Sequence, residues 1–137
     1  MSISAAHDSA PLLVTAAVII REDRVLITRR PDHKPQGGFW EFPGGKLNPG
    51  ESPAAALQRE MLEELEISVS VEEIIDVLYH RYSWGPVLIL AYRCRITGGT
   101  PQDIEVAEHR WVPLKELHHY ELLPADKPLI HQLQKSA

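Results

Sequence analysis

Glu51, Glu60, Glu63 and Glu64 crowd one stretch of the chain. On a helix turning about 100° per residue, Glu60, Glu63 and Glu64 fall within an arc of about 100°. Like charges at i, i+3 and i+4 repel one another and weaken an isolated helix. One reading is a solvated acidic face. The other is a site for a hard divalent cation, which takes a few carboxylates, several waters and substrate phosphates as ligands. A cation would also reconcile an anionic phosphate ligand with a chain whose formal charge is -5.

The element that positions these carboxylates is legible. Ser52 is a good N-cap and Pro53 suits a first turn, so the spacing predicts a helix from Pro53 to about Leu65. Leu57, Met61 and Leu65, joined by Ala54, form an apolar arc beside the acidic one, so one flank packs inward while the next projects its charges. Upstream, residues 12–20 and 25–29 read as strands around the turn Arg21-Glu22-Asp23-Arg24. Residues 31–38 form a loop, 39–42 are briefly extended, and Pro43-Gly44-Gly45 breaks that extension. Downstream, 67–82 and 86–96 read as a long hairpin ended by Gly98-Gly99, 110–112 as a short strand, and 124–134 as a C-terminal helix. Strands outnumber helices, and two helices can cover a sheet. The expected class is α+β, an α/β/α sandwich with a mixed sheet between helices. Residues 1–10 read as a flexible tail and 11–137 as a single domain.

Spacing bears on the two readings of the acidic arc. Gly45, five residues, Glu51, seven residues, Arg59-Glu60-Met61, one residue, Glu63-Glu64, and then Ile67 resembles the signature of the Nudix hydrolase family. One position departs: Glu66 stands where the family has glycine. That glycine follows the helix and supplies a left-handed cap. Glutamate on the same backbone costs about 1 kcal/mol and removes no metal ligand. Phe39-Trp40-Glu41-Phe42-Pro43-Gly44-Gly45-Lys46 is similar to the lead-in to this box in the MutT branch and in the related CTP pyrophosphohydrolases. Ile27-Thr28-Arg29-Arg30 resembles the second strand of MutT, and Leu122-Leu123-Pro124-Ala125-Asp126 the start of the last helix in both.

The resemblance implies a Nudix fold and a Mg2+-dependent hydrolase, with Mn2+ able to substitute. It would attack the β-phosphorus of a nucleoside triphosphate and release a monophosphate and pyrophosphate. The implied role is sanitising oxidised or modified nucleotides, of the 8-oxo-dGTP or the CTP/dCTP type. Glu60, Glu63 and Glu64, with the Gly44 carbonyl, would bind the metal. Which carboxylate is the base varies in the family: Glu60 leads, with Glu63 and the loop residue Glu105 as further candidates. For Glu105, a solvated loop glutamate is the plain alternative. Arg30, Phe42, Lys46 and Asp126 would contact substrate, while Gly45, Glu51 and Arg59 would support the site.

Base choice turns on Asp126. The matching residue in MutT is an asparagine that recognises 8-oxoguanine, whereas the CTP-type relatives have aspartate. An ionised aspartate only accepts hydrogen bonds. It could take them from the cytosine amino group or from the N1–H and N2 edge of guanine. A protonated one could also donate. The plain alternative is a first-turn aspartate facing the helix dipole. Phe42, Tyr82 and Trp84 could stack on a base, although Phe42 equally suits the core and the other two a hairpin tip.

The whole chain sets limits. With 137 residues, 44% of them hydrophobic, it can bury a core unaided. A net acidic domain lacks the basic footprint that nucleic acid demands. Cys94 is the single cysteine, which excludes an internal disulfide and suits a cytoplasmic protein. No run is long enough to span a bilayer. The histidines are scattered, and no zinc site is expected. A monomer or homodimer is expected. The rivals are a Nudix enzyme for ADP-ribose or dinucleoside polyphosphates, a non-catalytic nucleotide-binding Nudix domain, and a pure protein-interaction domain. The box carboxylates that non-catalytic domains lose are all present.

Overall fold

The computed structural model describes residues 10–135. The tail expected over 1–10 lies, apart from Ala10, outside the described residues. Strand β1 (Leu12–Arg21) runs through the middle of a mixed sheet. It pairs in parallel with β6 (Gly85–Gly98), and β5 (Ser68–Tyr82) lies antiparallel beyond it as the far arm of the long hairpin. On its other side, β1 pairs first with β4 (Gly44–Lys46) and, at its end, with β2 (Arg24–Arg29). Strand β2 in turn carries β3 (Trp40–Glu41) and β7 (Glu108–Pro113), both antiparallel. Glu22 (φ 49°) and Asp23 (φ 64°) make the β1–β2 turn, both left-handed as a tight two-residue hairpin requires.

Alternation along the strands divides the core. Ala17 and Ile19 of β1 and Leu26 of β2 pack with Leu57, Met61 and Leu65 of helix α1 (Pro53–Leu65). Ala16, Val18, Val25 and Ile27 pack in a second core with Leu129, Ile130 and Leu133 of helix α2 (Lys127–Lys135). A helix thus covers each face, the α/β/α arrangement expected. The bounds of α1 are those read from the sequence. Ser52 Oγ accepts the Ala55 N–H at 3.1 Å. Glu66 takes the left-handed cap, φ 56° and ψ 39°, and its N–H donates to the Leu62 carbonyl.

Two expectations are corrected. The break at Pro43-Gly44-Gly45 is in fact strand β4, which pairs Thr15 with Gly45. Glycine permits this, because a Cβ on Gly44 would collide with the Thr15 carbonyl oxygen. The single helix expected over 124–134 is divided into a 3-10 turn, Pro124–Asp126, followed by α2. Pro128 has no N–H to return to the Pro124 carbonyl, and the Lys127 N–H takes that acceptor with the tighter spacing. A second 3-10 turn, Leu114–His119, was not anticipated. Among the described residues, no helix is long and apolar enough to cross a membrane.

Candidate active site

Two glycines let three elements converge. Gly44 brings β4 against β1. A Cβ on Gly45 would sit 2.6 Å from Cδ of Glu60, so the bare backbone there is what admits the Glu60 carboxylate. The Thr15 hydroxyl donates to the Gly45 carbonyl at 3.2 Å and steadies the crossing.

Arg59 ties the helix to this crossing. Its Nε and Nη2 donate to the two oxygens of Glu51 at 2.7 and 3.0 Å, the fork geometry that makes arginine–carboxylate pairs strong. Its Nη1 reaches Glu60 at 2.9 Å and Glu63 at 3.2 Å, and Nη2 also donates to the Lys46 carbonyl. The Arg59 guanidinium, and after it the Asn48 N–H, hold the Glu51 carboxyl below the usual range. Arg59 thus joins Glu51, Glu60, Glu63 and the Lys46 carbonyl in one cluster.

A cavity of about 690 Å³ opens beside this framework. Of the residues singled out from the sequence, Arg30, Phe42, Gly44, Gly45, Lys46, Glu60, Glu64, Glu105 and Asp126 line it, as do Tyr82 and Trp84. Glu63 does not. Its carboxylate is exposed and paired with Arg59, so the arc of three carboxylates is split, with Glu60 and Glu64 turned to the cavity.

Glu64 is half-buried, and loss of solvent pushes its carboxyl well above the ordinary range, helped by a hydrogen bond to Glu60 and by the charges of Glu41 and Glu60. A protonated Glu64 donating to Glu60 lets the two coexist. Glu41 was missed by sequence reasoning. Burial raises its carboxyl too, opposed by Arg30 at 3.2 Å. Its signal was an acid between the buried Trp40 and Phe42. Arg30 is itself held, by Glu41 and by the Pro35 carbonyl at 2.9 Å.

Glu105 arrives on the loop after β6. The N–H groups of Ile104 and Glu105 donate to the Glu64 carbonyl, and that of Gln102 to the Leu65 carbonyl. The loop thus satisfies end carbonyls of α1 and carries Glu105 to the cavity. Asp126 is placed from the opposite layer. The Trp40 N–H donates to the Glu121 carbonyl, and the Leu123 N–H to the Trp40 carbonyl. This clamp sets Asp126 Oδ2 to accept the Phe42 N–H at 3.1 Å. Burial above all, then the charge of Glu41, lifts the Asp126 carboxyl to about 8, against the pull of the Phe42 N–H and Arg30. Near neutral pH it can both donate and accept. Cys94 is buried and its thiol pushed up to about 12, which suits a core residue and no nucleophile.

Among the described residues, no three His, Cys, Asp or Glu side chains gather to enclose an ion by themselves. Two carboxylates, Glu60 and Glu64, with Gly44 lining the same cavity, fit the sparse protein share of a hard cation that keeps water and phosphate ligands. A divalent cation between them would offset the repulsion of the two carboxylates.

Residues 15–132 match the family model described as NUDIX domain. The chain belongs to the Nudix family. It is 38% identical over 117 residues to the CTP pyrophosphohydrolase of Escherichia coli, covering 85% of this chain and 87% of that protein. It is 32% identical over 124 residues to the 8-oxo-dGTP diphosphatase of Haemophilus influenzae, covering 89% and 91%. The crystal structure of a MutT NUDIX hydrolase from Burkholderia pseudomallei superposes with a TM-score of 0.82 at 26% identity, covering 90% of this chain and 98% of that one.

Proposed function

We propose that this Nudix protein is a Mg2+-dependent nucleoside triphosphate pyrophosphohydrolase that sanitises modified nucleotides. The observation that carries the reading is one cavity lined both by the α1 carboxylates Glu60 and Glu64 and by the buried hydrogen-bonding group Asp126. The first suits a metal-bridged phosphate chain and the second a base. The named activities of the relatives, CTP pyrophosphohydrolase and 8-oxo-dGTP diphosphatase, agree with it.

Glu60, Glu64 and the Gly44 carbonyl would hold the cation. When bound, a divalent ion supplies Lewis acidity, drawing charge from phosphate oxygens and making water a competent nucleophile near neutral pH. Glu60 would orient the attacking water or take its proton. Glu105, carried in on its loop, is the second acceptor within the cavity. Lys46 and Arg30 offset charge on the phosphates, Arg30 by exchanging part of its pairing with Glu41. Asp126, protonated, presents a donor and an acceptor to the base edge, and the Phe42 backbone fixes its orientation.

Pyrophosphate release with Mg2+ from 8-oxo-dGTP, dGTP, CTP, dCTP and 5-methyl-dCTP tests this. Turnover of at least one of them, lost without the metal, is expected. No turnover of any by the wild type defeats the triphosphate reading, and ADP-ribose and dinucleoside polyphosphates then become the substrates to try.

A further inference from the structure

The β5–β6 turn places two aromatic rings at the cavity that the chemistry described so far leaves unused. Tyr82 ends β5 and Trp84 lies in the turn. Their rings stack with centroids 5.5 Å apart and planes 8° from parallel. Tyr82 is the anchored member. His80 meets it edge-on at 4.5 Å, and its hydroxyl is in hydrogen-bonding position toward the Ala125 backbone and the Gln36 side chain. It thereby links the hairpin, the turn that carries Asp126 and the loop after Arg30. Trp84 is the opposite. It is 63% exposed although it lines the cavity. One face of the indole rests on Tyr82, and its exposure leaves the other face available to a flat partner.

An exposed tryptophan at a hairpin tip needs no explanation when it stands alone. Here it is held in a fixed plane by a second ring that is itself tied to the Asp126 segment, on the wall of the cavity that holds Glu60 and Glu64. We propose that Trp84, backed by Tyr82, is the stacking wall for the nucleobase. Asp126 would read the edge of the base while Trp84 covers its flat face. Every base has a π-face, so Trp84 sets affinity for nucleotides broadly and leaves the choice among bases to the edge contacts. This rests on the nucleoside triphosphate reading above.

The test uses Trp84→Ala and Trp84→Phe. Trp84→Ala should raise KM for the preferred nucleotide about tenfold while kcat stays within about twofold, and Trp84→Phe should recover most of the loss. The other two tryptophans, Trp40 and Trp111, are buried or partly buried. Without added divalent cation, CTP or 8-oxo-dGTP should therefore quench wild-type fluorescence, whereas inorganic triphosphate, which has no base, should not. Trp84→Phe should lose that quenching. An unchanged KM in Trp84→Ala, with the wild type turning over triphosphates, overturns the stacking wall and leaves the proposed function standing. Base-dependent quenching with no triphosphate turnover overturns the proposed function and supports the wall.

Discussion

Glu60 and Glu64 carry the proposed chemistry, two half-buried carboxylates on one cavity wall whose charge a bound cation would balance. Glu60→Gln should lower Mg2+-dependent turnover at least about a hundredfold and leave the fold intact. Mg2+ should raise the wild-type melting temperature by mass action and raise that of the variant less; thermal melts with and without metal check this. Asp126 makes a different prediction. Its carboxyl is raised from 3.8 to about 8 in the native protein, so between those values the folded state binds a proton that the unfolded chain has released. Its share of stability is complete below about 4 and is lost as pH rises toward 8. Asp126→Asn, which keeps an oxygen for the Phe42 N–H, should show a smaller drop in melting temperature between pH 5 and pH 8 than the wild type. An equal drop would mean that Asp126 does not titrate in this window. At this scale the sequence was informative where a side chain's type dictates its chemistry. It was silent on Glu41, whose importance comes from burial beside Arg30, and it placed Glu63 with its neighbours when Arg59 draws it outward.

The elements position these residues through backbone that tolerates close approach. Gly45→Ala would drive its new carbon against the Glu60 carboxylate. The variant should stay folded yet lose turnover about as heavily as Glu60→Gln, with pyrophosphate release as the readout. Glu66→Gly should act in the other direction. The native φ of 56° at Glu66 is strained for a residue with a Cβ, so glycine should add about 1 kcal/mol to the unfolding free energy, read by denaturant titration. Helix α1 was legible end to end because Ser52, Pro53 and the apolar spacing agree locally. Strand β4 was not, since Gly44-Gly45 reads as a break, and only a distant partner, β1, makes it a strand. The divided C-terminal helix was readable in principle from Pro124 and Pro128, whose spacing removes one helical hydrogen bond.

For the whole molecule, two layers and a loop meet at one cavity. Helix α1 supplies the carboxylates from one face of the sheet, the turn before α2 supplies Asp126 from the other, and the loop after β6 adds Glu105 by capping α1. The layered class could be read from strand alternation and helix number, but this convergence could not, because it depends on pairings such as Trp40 with the Glu121–Leu123 segment. If Glu105 shares the acid–base work, Glu105→Gln should lower kcat at least about tenfold with no change in melting temperature, since only its backbone holds the loop. The most direct measurement of the central claim is product analysis of Mg2+-dependent turnover in 18O-labelled water. Attack at the β-phosphorus gives a monophosphate free of label and pyrophosphate carrying it, with Glu60→Gln almost inactive. A diphosphate with inorganic phosphate, or the same labelled products at full rate from Glu60→Gln, would contradict it.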